Sequence, residues 1–297
     1  MSKLIMLIGL PGAGKSTYAK SIMDSEGRVQ YCSSDKVREQ LYGDENIQGD
    51  TNKVFRVLHN KVKNLLDRGY DVIYDATNVT RKNRRSVIQE VKKYCTTIDA
   101  HIVWAPYEGC LSRDAARKRS VGPDVIRKFL YRWQSPNYDE GFDNIELIFN
   151  CDIGWNRIKY SNAMLDNMKI PHDNPHHTLD IWEHCAAAEC YCYNKWGDQL
   201  LVEAAAYHDI GKPFTKGFKS DAEGKIIPVA HYYSHDNVGG YFVYGMYTPQ
   251  TKQQAIKCSW IVCNHMQPFF GSNYYRELRE DYKILLDRVH EADLKAH

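Results

Sequence analysis

Gly9-Leu10-Pro11-Gly12-Ala13-Gly14-Lys15-Ser16-Thr17 follows directly on the apolar run Lys3-Leu4-Ile5-Met6-Leu7-Ile8. A glycine, four residues, then Gly-Lys-Ser between a strand and a helix is the P-loop pattern. Gly9, Gly12 and Gly14 leave room for the backbone to turn its N–H groups inward around a phosphate. Lys15 then reaches the β- and γ-phosphates, and the Ser16 hydroxyl a magnesium ion. The stretch predicts a nucleoside triphosphate site built from Gly12, Ala13, Gly14, Lys15, Ser16 and Thr17, taking ATP or another NTP with Mg²⁺.

Apolar runs alternate with helical patterns outward from this motif. Strands are expected at 3–8, 29–33, 71–75, 98–105 and 145–149, with helical spacing at Val54, Leu58, Val62 and Leu65 and at Val87, Val91 and Tyr94. This alternation predicts an α/β domain over residues 1–152, a parallel sheet with helices on both faces and ligands at the carboxyl ends of its strands. The second strand runs into Ser33-Ser34-Asp35 and the third into Tyr74-Asp75-Ala76-Thr77-Asn78. Asp35 is either a general base for an acceptor hydroxyl beside the P-loop or the N-cap of the next helix. Arg38 holds an anionic part of the acceptor or is solvated, and Asp75 is a magnesium partner or a structural carboxylate. Arg113 and Arg117, spaced i,i+4, share one helix face and suit a flap over the triphosphate. Lys118, Arg119 and Lys128 read as solvated. Arg81-Lys82-Asn83-Arg84-Arg85 is a phosphate-backbone track or a solvated helix start.

At 297 residues and 43% hydrophobic, the chain has room for two cores. A formal charge of +2 confines any nucleic-acid site to a local patch. Nine cysteines without a C-x-x-C pair argue against a zinc knuckle and for reduced thiols. With no long apolar stretch and no signal-peptide pattern, the expected location is the cytoplasm, without a membrane partner. Ten of the twelve histidines follow residue 170, which marks a change of chemistry. A connection is expected at 153–173 and a second domain at 174–297.

The order of P-loop, Ser33-Ser34-Asp35-Lys36-Val37-Arg38, Ile73-Tyr74-Asp75-Ala76-Thr77-Asn78, Arg113-x-x-x-Arg117 and Pro136-Asn137-Tyr138-Asp139-Glu140-Gly141-Phe142 resembles the 5′-hydroxyl polynucleotide kinases of bacteriophage and eukaryotic end-repair enzymes. The likeness covers about residues 1–150. It implies Lys15 and Ser16 on the triphosphate and its metal, Asp35 as general base and Arg38 on the acceptor phosphate. It also implies Asp75 and Asn78 on the acceptor side, Arg113 on ATP and Arg117 as the lid arginine.

In the second half, Asn174-Pro175-His176-His177-Thr178-Leu179-Asp180-Ile181-Trp182-Glu183-His184, His208-Asp209-Ile210-Gly211-Lys212-Pro213 and Ser234-His235-Asp236 resemble the HD phosphohydrolase superfamily. The HD domains attached to CCA-adding enzymes are especially similar. The resemblance implies an all-α domain with His184, His208, Asp209 and Asp293 around one divalent metal and His235 and His265 at a second. His177 is an alternative to His184, and Asp287 to Asp293. Histidine-rich sites favour Mn²⁺, Fe²⁺, Co²⁺ or Ni²⁺. Such domains hydrolyse phosphomonoesters and phosphodiesters, including 2′,3′-cyclic phosphates, and Lys212 offers one phosphate contact. Together the halves resemble an enzyme that heals RNA or DNA ends for a downstream RNA or DNA ligase. The alternatives are a small-molecule kinase fused to an HD nucleotidase, and a regulatory protein that uses nucleotide as a switch.

Overall fold

Lys3–Ile8 forms strand β1, and Leu4 through Ile8 are each at most 1% exposed. A strand with no polar face must be covered on both sides, which places it inside a parallel sheet. The computed structural model describes residues 2–25, 27–45, 47–175, 178–221 and 223–296. In it, β2 (Val29–Ser33), β3 (Asp71–Asp75), β4 (Thr97–Trp104) and β5 (Asn144–Phe149) join β1 in an all-parallel sheet of order β2-β3-β1-β4-β5. The intervening helices are α1 (Lys15–Ser25), α2 (Ser34–Tyr42), α3 (Thr51–Asp67), α4 (Arg81–Val91), α5 (Tyr107–Ala115) and α6 (Pro123–Leu130). The chain winds to one side of β1 through β2 and β3 and to the other through β4 and β5. Strand order therefore reverses at β1, and a crevice opens at its carboxyl end.

Packing fixes that end. Tyr18, Ala19, Ile22 and Met23 of α1 pack on Ile5, Leu7, Val29 and Ile73. Gly12 has φ +82°, and a Cβ there would lie 2.2 Å from the Cys110 carbonyl oxygen, so only glycine lets the P-loop pass α5. Asn78, at φ 51°, donates from Nδ2 to the Leu7 carbonyl at 2.8 Å. Arg84 is fully buried: its Nη1 donates to the Asn78 carbonyl, and Nε and Nη2 grip Glu140 at 2.7 and 2.6 Å. The basic run 81–85 is thus not a continuous surface track, because its Arg84 is a buried strut.

Two compact units divide the chain, Met1–Phe129 with Pro136–Ile153, and Leu130–Ser135 with Gly154–His297. The short excursion at 130–135 belongs to the second unit because Trp133 is buried edge-on against Tyr241 and Tyr244. Ser135 Oγ also lies 2.5 Å from Ser259 Oγ. The second unit holds α7 (Arg157–Asn167), α8 (Ile181–Trp196), α9 (Gln199–Tyr207) and the one-turn α10 (Lys212–Thr215). Next come β6 (Gly217–Ser220), β7 (Ile226–His231), α11 (His235–Val243), α12 (Lys252–Asn264), the short α13 (Gln267–Phe270) and α14 (Asn273–Glu277), and α15 (Glu280–Lys295). Two expectations change. The segment 153–173 is no bare linker: Asn156 caps α7, which buries Met164, with Met168 buried just beyond its end. Nor is the second unit wholly helical, since β6 and β7 pair as an antiparallel hairpin. No helix among the described residues is long and apolar enough to cross a membrane.

Removing one partner of a buried ion pair strands the other charge, at a cost of about 3–5 kcal/mol. Arg84→Ala and Glu140→Ala are each expected to lower stability in urea unfolding by that amount. The joint replacement Arg84→Met/Glu140→Leu should recover most of the loss. A cost below about 1 kcal/mol for either single variant, the range of an exposed pair, would contradict the strut.

Candidate functional site

The strand ends of the first unit enclose a cleft of about 1360 Å³. Gly12, Gly14, Lys15, Ser16, Asp35, Arg38, Asp75, Asn78 and Arg117 all line it. Lys15 Nζ donates to the carbonyls of Gly9 and Leu10 at 2.9 and 3.0 Å, folding the lysine over the loop. Burial lowers its pKa below the ordinary lysine value; the Asp75 carboxylate opposes the shift and the Arg117 charge adds to it. Ser16 Oγ donates to Asp75 Oδ2 at 3.1 Å, and Tyr31 OH donates to the same oxygen at 2.5 Å. A P-loop hydroxyl in contact with a strand-end carboxylate is the donor pair that holds Mg²⁺ in P-loop NTPases, so these residues fit the ion. Asp75 thus meets the Ser16 hydroxyl at the strand ends, and Asn78, which also lines the cleft, braces Leu7.

Asp35 is not the cap of α2. The Ser33 hydroxyl accepts from the Lys36 N–H at 3.1 Å and fills that role, which leaves Asp35 in the first turn with its side chain 53% exposed. It accepts from Arg38 Nη1 at 2.7 Å, and Arg119 Nη1 stands 3.4 Å away. Arg119, read from sequence as solvated, is thus an ion-pair partner of Asp35. The expected face shared by Arg113 and Arg117 does not form, because α5 stops at Ala115. Arg113 turns to Asp152 (2.7 Å) and the Asn150 carbonyl (2.8 Å), whereas Arg117 lies in the following loop on the cleft. That loop is anchored by buried Asp114, which accepts from Ser120 Oγ at 2.7 Å and from the amides of Val121 and Gly122. Burial works against the Asp114 charge, but these donors outweigh it and lower its pKa. Asp114 and Tyr31 carried no sequence signal, since their partners are fixed by the fold.

In the second unit, His184 (α8), His208 and Asp209 (after α9), His235 (α11), His265 (after α12) and Asp293 (α15) meet in one buried cluster. His184 Nε2 lies 3.2 Å from His208 Nε2 and 3.0 Å from Asp293 Oδ1. His235 Nε2 lies 3.2 Å from His265 Nε2. Asp209 joins the two sets, with Oδ2 3.3 Å from His208 and Oδ1 3.3 Å from His235. Every ring has its Nδ1 on a main-chain carbonyl: His184 on Ala296 at 2.7 Å, His208 on Ala205 at 2.7 Å, His235 on Tyr232 and His265 on Val262 at 2.8 Å. Three of the four use the residue three positions back. A neutral ring that donates from Nδ1 presents a lone pair at Nε2, so in the neutral form each close Nε2 pair is two acceptors face to face. Two ligands about 2.1 Å from one ion stand roughly 3.0–3.4 Å apart, so the pairs fit a shared cation.

Burial opposes charge on His208, yet Cys185, Asp209 and hydrogen bonds to Asp209 and Asp293 raise its pKa well above the usual value, so without a metal His208 keeps a proton on Nε2 that a metal ion would have to displace. Burial and the charges of His235 and His208 push His265 down to about 3, the neutral form a ligand needs. Lys212 Nζ lies 2.5 Å from Asp209 Oδ2. At Gly211 a Cβ would come within 2.0 Å of the His235 carbonyl oxygen, so glycine admits α11 to the cluster. Asp287 takes a hydrogen bond from Tyr275 OH, while Asp293 faces the histidines. His177 lies outside the described residues.

The family model described as AAA domain matches residues 4–136. Among solved structures, one titled as a Pnkp1/Rnl/Hen1 complex is 26% identical, over 38% of this chain and 38% of that one, with a TM-score of 0.35. A fungal RNA kinase is 15% identical over 57% and 44%, with a TM-score of 0.40. A sugar kinase from Janibacter is 16% identical over 50% and 86%, with a TM-score of 0.38. The chain spans about two fifths of the Pnkp1/Rnl/Hen1 chains it matches. Residues 4–136 are thus a P-loop domain, which implies a nucleotide with Mg²⁺.

Proposed function

We propose that the chain heals nucleic-acid ends, phosphorylating 5′-hydroxyl termini with ATP in the first unit and removing 3′-phosphate or 2′,3′-cyclic phosphate in the second. The kinase reading rests on one observation above others. Asp35, relieved of helix capping, shares a cleft with Lys15 that is larger than the roughly 300–1,000 Å³ usual for a small-molecule pocket. Asp35 takes the proton from the attacking 5′-hydroxyl, and Arg38 and Arg119 hold its carboxylate toward the acceptor. Lys15 and Arg117 offset charge on the transferring phosphoryl group. The basic run 81–85, with Arg84 buried, lends less to a polymer acceptor than its sequence promised.

The second activity rests on the four lone-pair imidazoles arranged around Asp209. His184, His208, Asp209 and Asp293 would hold one divalent ion, and His235 and His265 with Asp209 a second. Bound there, a transition metal supplies an activated water and offsets charge on phosphoryl oxygens. Lys212 orients Asp209 and stands ready for a phosphate oxygen. RNA or DNA ends are the substrates, with a ligase downstream and the cytoplasm as the compartment. The competing small-molecule reading differs in its acceptor, so a panel of nucleosides and sugars set against a 5′-hydroxyl oligonucleotide decides between them.

Asp35→Ala is expected to cut oligonucleotide phosphorylation about 10²–10⁴-fold while ATP binding persists. Arg117→Lys should rescue Arg117→Ala poorly, since lysine lacks the planar fork. Full activity in Asp35→Ala, or faster transfer to a nucleoside than to the oligonucleotide, would refute the kinase assignment.

His208→Ala and Asp209→Ala should lose bound transition metal by elemental analysis and lose 3′-end hydrolysis while keeping the kinase. Lys15→Ala should show the reverse pattern. After chelation, Mg²⁺ should restore only the kinase, because nitrogen-rich sites favour later transition metals. Hydrolysis that survives in His208→Ala would reduce the cluster to a structural role.

A further inference from the structure

Between α10 and α11 the chain leaves the helices as the β6–β7 hairpin, and both ends of this excursion are tied to the ligand cluster. At its entry, Lys212 Nζ lies 2.5 Å from Asp209 and 5.4 Å from the centroid of the Tyr232 ring. At its exit, the Tyr232 carbonyl accepts from His235 Nδ1. The next ring outward, Tyr233, is 66% exposed. His231 stacks on it with centroids 5.6 Å apart and planes 12° from parallel, and Lys219 Nζ lies 5.7 Å from its centroid. Lys212 and Tyr232 thus stand at the cluster, and Tyr233, next along the chain, carries His231 and Lys219 on its ring.

Exposing a tyrosine ring and backing it with an imidazole is a poor use of apolar surface unless something stacks on it. Bases stack on such rings whatever their identity, and lysines beside them track the backbone. The opposing charges on the excursion are few. Asp221 is spent on the turn, where it accepts from the amides of Glu223 and Lys225, and Glu223 stands at the tip. Lys216 is paired with Asp173 at 2.8 Å, which leaves Lys219 and Lys225 exposed for phosphates.

We infer that Tyr233, backed by His231 and flanked by Lys219, is a stacking platform for a single-stranded nucleic acid whose 3′-terminal phosphate reaches Lys212 and the Asp209 cluster. This rests on the phosphohydrolase reading and names its substrate as a strand rather than a mononucleotide. The bases upstream of the terminal phosphate lie over the hairpin, and the hairpin sets the register of the end.

The test is fluorescence anisotropy on the full chain with a labelled single-stranded RNA of roughly ten nucleotides, a common site size. The probe carries a 5′-phosphate, so that it is no kinase acceptor, and a 3′-phosphate. Tyr233→Ala should raise Kd about tenfold or more. Tyr233→Leu, which keeps apolar bulk without a π face, should do the same, and Tyr233→Trp should bind as the parent does. Lys219→Ala should reduce the slope of log K against log salt by about 0.7. Tyr193→Ala removes a tyrosine that is 68% exposed on α8 and should change nothing. The platform is overturned if folded Tyr233→Leu binds like the parent, if Tyr193→Ala weakens binding equally, or if the parent does not bind. Binding is read without turnover. A chain that binds through Tyr233 yet hydrolyses no 3′ end would refute the phosphohydrolase reading and leave the platform standing.

Discussion

Asp209 is a carboxylate about 1% exposed, and the helical unit is organised around meeting its charge. Burial alone would raise its pKa, yet Lys212 and the histidines hold it well below the usual range. Those partners come from different elements: Lys212 from α10, His184 from α8, His208 from the end of α9, His235 from the start of α11 and His265 from the end of α12. A buried charge left unmatched costs several kcal/mol, so packing and charge compensation must be satisfied at the same point. Gly211 permits this by giving up a side chain where α11 arrives. Because each imidazole is clamped at Nδ1, its Nε2 has no freedom except to face its neighbours. His184, His208 and Asp293 on one side, and His235 and His265 with Asp209 on the other, thus stand close enough together to hold a metal ion.

The first unit solves a different problem by a comparable device. Its strand ends carry groups that must remain available, so neighbouring residues take over the structural duties. Ser33 caps α2 and leaves Asp35 to the cleft. Asp114 holds the loop that carries Arg117 and Arg119. Asn78, which lines the cleft, also fastens β1, and buried Arg84 grips Glu140. The same residue types thus divide between work and scaffolding according to what lies opposite them in the fold.

Local pattern made much of this legible. The five strands and the P-loop follow from apolar runs and glycine placement, which act over a few residues. What depended on distant partners was not legible. Arg84 looked solvated or phosphate-bound because Glu140 is 56 residues away. Arg119 looked solvated because Asp35 approaches only once the sheet has formed. The i,i+4 pairing of Arg113 and Arg117 presumed a helix that ends at Ala115. Asp287 and Asp293 share α15 but sit about 120° apart around it, so only tertiary packing chooses between them. The aromatic hairpin was missed because helical expectations covered the whole second half, although Lys219 and Tyr233 are plain in the sequence.

We propose that the Asp209 cluster is a metal centre. Anomalous diffraction from crystals of the purified chain, recorded at the edges of Mn, Fe, Co and Ni, tests it without reference to any activity. One peak is expected among His184, His208, Asp209 and Asp293 and, at full loading, a second on the His235 and His265 side of the same carboxylate. No peak at this cluster after soaking in each of these metals, or a peak only elsewhere in the chain, would contradict it.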